Sequence, residues 1–187
     1  MSSCELYLRV HNKPSFSQTI LLKNLYLNSN NKAGPKAGDG FVEQYQENTY
    51  TDEQVQQHFD EFYEEVYTEV EDKYGEIEAM TVCDNLGEHL VGNIYIKFRY
   101  EKDAERAVAD LNTRWFDRKP IYAELSPVTD FKEASCRQYE LGECMRSGFC
   151  NFMHIKTLSP EIKKHIRERR KRSRSRSRSS SRRNRRR

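Results

Sequence analysis

Cys136, Cys144, Cys150 and His154 follow one another in the spacing Cys-x7-Cys-x5-Cys-x3-His. Three thiols and an imidazole suit tetrahedral Zn2+ in number and type, and four protein ligands close the coordination sphere, which marks a structural metal rather than a catalytic one. No apolar run nearby could supply a core in its place, so folding of this segment is expected to depend on the metal. Gly142 and Gly148 allow the tight turns that so short a module needs. Around the ligands lie Arg137, Tyr139, Arg146, Phe149 and Phe152, cations and aromatics suited to phosphate contact and base stacking, hence candidate RNA contacts. Packing of the finger itself is the other role open to them.

A second group has the chemistry of an interface anchor. Arg114-Trp115-Phe116 contains the single tryptophan of the chain, and aromatic and arginine side chains dominate interface energetics. The segment Asp52 to Glu78 holds eleven acidic residues against the one base Lys73, a surface that repels phosphate; a solvated helix face is the other reading open to it. No nucleophile, base and open metal position converge, so no catalytic residue is assigned and an enzyme is not expected.

The elements that must position these groups read in one order. Thr19 to Leu27 is an apolar, β-prone run ending in Asn28-Ser29-Asn30-Asn31, and a Gly/Pro-rich loop, Lys32 to Gly40, follows. From Thr51 the period becomes helical through Val55, Phe59, Phe62, Val66 and Val70, with Thr51 and Gln54 as a capping box and Gly75 as the stop. Glu76 to Cys83 alternates as a half-buried strand, Asp84-Asn85-Leu86-Gly87 supplies a turn, and Leu90 to Phe98 is a strong strand. Glu101 to Asn112 restores helical period, and Pro120 to Leu125 is the last strand. Strand, helix, strand, strand, helix, strand is the α+β, ferredoxin-like order: an antiparallel four-stranded sheet with two helices on one face.

RNA-recognition motifs of this fold stack bases on aromatics of the two central strands. Residues 91 to 98 match the octamer consensus at Gly92, Tyr95, Ile96 and Phe98, but the basic position is Val91 and an aromatic position is Asn93. On the first strand, resemblance to the motif puts Leu21 at the stacking position. The RNA platform is therefore degenerate.

Taken together, HNKPSFSQTI, VCDNLGEHLVGNIYIKF, LNTRWF, AELSPVTDF and CRQYELGEC…GFCNFMH resemble the small subunit of the U2 auxiliary factor, the heterodimeric factor that marks the 3′ splice site in pre-mRNA splicing. The resemblance implies that the degenerate domain is a U2 auxiliary factor homology motif binding a tryptophan-containing peptide of the large subunit. It places Arg114 and Phe116 at the pocket for that tryptophan and inserts Trp115 reciprocally into the partner. It also sets acidic residues of the first helix, Glu61, Glu64, Glu65 and Glu69, against the partner's basic residues. The finger would help read the splice-site AG, with pre-mRNA, the large subunit and other RS-domain splicing factors as partners. The family carries two such fingers, the first ending at His11; only Cys4 lies upstream of it here, at the wrong spacing, so the resemblance is to a form lacking that first finger. A protein-interaction adaptor or competitor with little RNA affinity of its own is the alternative.

The domains expected are an N-terminal remnant lacking the first finger at 1–18, the degenerate motif at 19–128, the finger at 130–158, and a basic helix with an arginine/serine tail at 159–187. Charge divides the same way. From Lys163 to Arg187 fifteen Lys/Arg face Glu168 alone, leaving +14; the preceding 17 cations and 28 anions leave −11. The run SRSRSRSSSRRNRRR, from Ser173 to Arg187, is expected to be disordered, to grip RNA by counterion release and to be a phosphorylation substrate. Nuclear localisation is the companion expectation. No stretch approaches the ~20 apolar residues that a membrane span requires.

Overall fold

A computed structural model describes residues 14–28 and 50–184. The first-finger segment upstream of His11 and the loop from Lys32 to Gly40 lie outside the described residues. Strands β1 (Thr19–Leu22), β2 (Ile77–Val82), β3 (Ile94–Phe98) and β6 (Ala123–Ser126) form one sheet in the order β2-β3-β1-β6, every pair antiparallel. Helices α1 (Asp52–Tyr74) and α2 (Glu101–Leu111) cover one face. This is the expected ferredoxin-like arrangement, that of an RNA-recognition motif.

Local chemistry sets the boundaries. Thr51 Oγ1 accepts from the Gln54 amide while Gln54 Oε1 accepts from the Thr51 amide, so both halves of the capping box form. α1 stops at Gly75, whose φ of 137° suits glycine. The period of two in the strands divides the sheet. Ile20, Leu22, Met80, Val82, Ile94, Ile96 and Phe98 meet Phe59, Val66, Tyr67, Ala104, Ala107 and Leu111 in the main core.

Three strands are shorter than their apolar runs. Asn24 takes φ 51° and turns β1 away after Leu22. Leu90 to Gly92 belong to a turn in which Gly92 has φ 63° and Asn24 Nδ2 donates to the Val91 carbonyl at 2.8 Å, so β3 begins only at Ile94. Pro120 is drawn into a separate small hairpin of β4 (Trp115–Phe116) and β5 (Lys119–Pro120). Its central residues Asp117 and Arg118 both have positive φ, as a type I′ turn requires. β6 therefore starts at Ala123.

Beyond the sheet come two short helices, α3 (Phe131–Ala134) and α4 (Arg137–Glu140), then α5 (Pro160–Asn184). Ser159 Oγ accepts from the Ile162 amide and Pro160 opens α5, a favoured first position for proline. The helix runs on to Asn184, correcting the expectation of disorder from Ser173. Docking of its first turns supplies the nucleus, after which extension through arginine and serine, with no glycine or proline in the run, costs little per residue. Ile166 is buried in the main core, and Arg169 bonds Glu71 and Asp72 of α1 at 2.7 and 2.5 Å. Among the described residues no helix is long and apolar enough to cross a membrane.

Candidate functional site

The four finger residues converge. The sulfurs of Cys136 and Cys144 are 3.8 Å apart, those of Cys136 and Cys150 are 3.9 Å apart, and all four potential ligand atoms lie within 4.8 Å of one another. A tetrahedral site with metal–sulfur bonds of about 2.3 Å has sulfur–sulfur edges of about 3.8 Å, so the spacing fits a cation at the centre, whereas a disulfide would need about 2.05 Å. His154 Nε2 is buried with no hydrogen-bond partner, an arrangement that costs free energy unless it meets a ligand. Burial also lowers the His154 pKa, favouring the neutral ring that offers a lone pair. The cluster can hold a metal ion.

The finger is clamped to the domain rather than tethered to it. The Asp84 amide donates to the His154 carbonyl and the Leu86 amide to the Gly148 carbonyl, both at 2.7 Å, while Cys83 and Ile155 form an antiparallel bridge. Phe131, Met153 and Ile155 pack with Leu21, Ala79, Cys83 and Tyr95 on the sheet face opposite the helices. Tyr95, the consensus aromatic on the face opposite the helices, is only 6% exposed and meets Phe131 edge-on at 6.2 Å. Asn93 is turned inward, accepting from the Asn24 amide and donating to the His89 carbonyl. The usual RNA platform is thus buried inside the chain.

A groove of about 790 Å3 opens on another side, between α1, the segment after β1 and the β4–β5 hairpin. Phe62, Phe116, Tyr26 and Leu25 give it apolar walls, and Glu61, Glu65 and His58 bring polar groups to it from α1. Phe62 and Phe116 meet edge-on and Phe62 tilts against Tyr26 at 5.0 Å. Trp115, two-thirds exposed at 68%, and Arg114 stand outside the lining.

The structure separates the residues read from sequence. Glu61 and Glu65, one helical turn apart, face the groove, but Glu64 faces α5, 3.5 Å from His165, and Glu69 bonds Lys73 and Arg114. Position around and along the helix explains this: Glu64 is turned off the Glu61–Glu65 row toward α5, and Glu69 continues that row one turn beyond the groove, where Lys73 and Arg114 reach it. Lys73 and Arg114 hold the Glu69 carboxyl below its usual pKa. Arg114 accordingly ties the hairpin to α1 instead of lining the groove. Around the Cys/His cluster Arg137, Arg146, Phe149 and Phe152 are exposed, while Tyr139 is half-buried, its ring stacked on His154 at 3.9 Å.

Sequence reading passed over Tyr26 and His58 in the groove and Asn85 beneath the finger. Tyr26 carried a signal only as part of an apolar run, and Asn85 only as one residue of a turn. Neither pattern says which neighbour a folded chain will bring to it.

The chain is similar to curated splicing factors. It is 61% identical over 162 residues to the splicing factor U2af 38 kDa subunit of Drosophila melanogaster, covering 87% of this chain and 60% of that one. It is 58% identical to the splicing factor U2AF 26 kDa subunit of Rattus norvegicus and 48% identical to the U2AF 23 kDa subunit of Schizosaccharomyces pombe. Each match covers 84% of this chain, with 69% and 67% of the relatives. The chain thus spans three-fifths of the fly protein's length. No family model matches. Among solved structures it is similar to the Rna15 RRM with bound RNA (TM-score 0.33, 15% identity, 67% of this chain and 95% of that one) and to the penultimate RNA recognition motif of RBM19 (TM-score 0.34, 16% identity, 63% and 90%).

Proposed function

The chain belongs to the U2AF small-subunit family of splicing factors, and on that premise we propose that it pairs with a large subunit and helps recognise the 3′ splice site. The observation that carries this reading is the groove beside α1. A tryptophan side chain of a partner peptide packs in the groove against the Phe62–Phe116 pair, while Glu61 and Glu65 attract basic residues flanking it. Trp115, projecting from the hairpin, inserts into the partner in return. Burial of Tyr95 supports a protein-binding rather than RNA-binding role for this domain.

RNA recognition falls to the finger. Cys136, Cys144, Cys150 and His154 hold Zn2+, whose contribution is to fix the fold of residues 137–149, where Leu141, Met145 and Phe149 are all exposed and supply no core. Arg137 and Arg146 then contact phosphate and Phe149 and Phe152 stack on bases, with Tyr139 bracing His154. The domains proposed are 1–18, 19–128, 130–158 and 159–187, although the finger leans on the second of these. The basic tail adds a grip on RNA and directs the chain to the nucleus.

The test is RNA affinity of the purified large subunit, alone and paired with this chain, for RNAs ending in AG or an altered dinucleotide at two salt concentrations. An AG-dependent gain supports the reading. No gain with dimerisation intact makes the chain an adaptor or competitor.

A further inference from the structure

Asn85 sits in the β2–β3 connection, belongs to no metal-ligand set and is fully buried at 0% exposure. All of its side-chain amide bonds cross to the finger. Nδ2 donates to the carbonyls of Cys150 at 3.1 Å and Phe152 at 3.0 Å, and Oδ1 accepts from the His154 amide at 2.8 Å. One side chain therefore fixes the backbone of residues 150 to 154, which carries two of the four proposed ligands. The backbone on either side of Asn85 joins in: Asp84 bonds the His154 carbonyl and Leu86 bonds the Gly148 carbonyl. A Cβ on Gly148 would lie 2.3 Å from Leu86 Cγ, so the two segments touch directly there.

We infer that Asn85 is the positioning residue of the metal centre, holding Cys150 and His154 in ligating geometry from the sheet domain, so that metal binding and the Asp84–Leu86 segment form one energetic unit. The inference rests on reading the Cys/His cluster as a metal centre. The mechanism is pre-organisation. A buried amide that satisfies two carbonyls and one amide removes alternative backbone paths for 150–154, and groups that orient ligands from outside the coordination shell typically change metal affinity by about 10–100-fold. Coupling is reciprocal, since whatever Asn85 contributes to metal affinity the metal returns to the order of the Asp84–Leu86 segment.

The experiment uses the full chain and titrates Co2+, then Zn2+ in competition with a chelator, into wild type, N85A, N93A and C144S. Asn93 is the control for lost buried amides: it is 3% exposed and bonds Asn24 and His89, away from the finger. The expected result is affinity lower by about 10–100-fold in N85A, with unchanged thiolate-to-cobalt bands because the ligands are intact, and wild-type affinity in N93A. Wild-type affinity in N85A, or equal losses in N85A and N93A, would overturn the inference. Unchanged thiolate bands in C144S would instead remove the metal reading on which it rests.

Amide exchange on the wild type alone supplies a second arm, free of any folding defect in N85A. Chelation should speed exchange at Asp84 and Leu86 while β1 and β3 stay protected. Continued protection of Asp84 and Leu86 after the metal is withdrawn would contradict the coupling.

Discussion

Phe62 of α1 and Phe116 of the β4–β5 hairpin meet with ring centroids 5.6 Å apart and planes at 79°, and both rings also face the groove. Edge-to-face pairs of this kind add about 0.5–1.5 kcal/mol beyond the area they bury. The hairpin is therefore held in place by the surface it offers to a partner.

Phe116→Ala should remove one wall of the groove while leaving the main core intact. Binding of a basic tryptophan-containing peptide, measured by calorimetry, is expected to weaken by about 2 kcal/mol or more. Metal content should stay at the wild-type value. Equal peptide affinity in the variant would place the partner elsewhere.

The acidic residues of α1 divide by face, and charge reversal can separate them. Glu61→Lys and Glu65→Lys should each lower peptide affinity, most strongly at low salt, because both line the groove. Glu64→Lys should leave peptide affinity unchanged and disturb α5, since Glu64 faces His165. Titrations of the three variants at two ionic strengths check this.

Glu69 gives a pH dependence of known sign. Its folded pKa lies below the ordinary value of 4.5 because of hydrogen bonds from Lys73 and Arg114. Its contribution is present above the unfolded pKa and lost as pH falls through the folded one. The side chain is about a third exposed, and solvent screening holds the effect below about 1 kcal/mol. Urea unfolding of wild type and Glu69→Gln should differ at pH 6, and the difference should shrink as pH falls below the ordinary carboxylate range.

Much of this molecule was legible from local pattern. The Thr51–Gln54 cap, the stop at Gly75 and the Cys/His spacing each depend on residues close in sequence, and the structure has all three. What eluded sequence reading depended on distant neighbours. Leu90 and Val91 look like strand but lie in a turn held by Asn24, Glu64 looks like part of a partner surface but faces α5, and the Tyr95 ring is covered by Phe131 from beyond the last strand. Hydrophobic period reports that a side chain is buried, not what buries it.

The α5 contact is such a case. Ile166 is buried among main-core residues, at the edge where α5 meets α1. Ile166→Ala should lower stability by about 2 kcal/mol, at the lower end of buried Ile→Ala costs because the site lies at the core's margin. Urea denaturation followed by circular dichroism gives the number, and an unchanged midpoint would mean that α5 does not dock.

The account rests on a division of labour between groove and finger. Its most direct test measures peptide affinity and AG-dependent RNA affinity for Phe116→Ala and Cys144→Ser, each as a metal-equilibrated full chain. Phe116→Ala should lose the peptide and keep its metal, and Cys144→Ser should lose metal and AG-dependent binding while keeping the peptide. The reverse pattern, or both activities lost together in both variants, would contradict it.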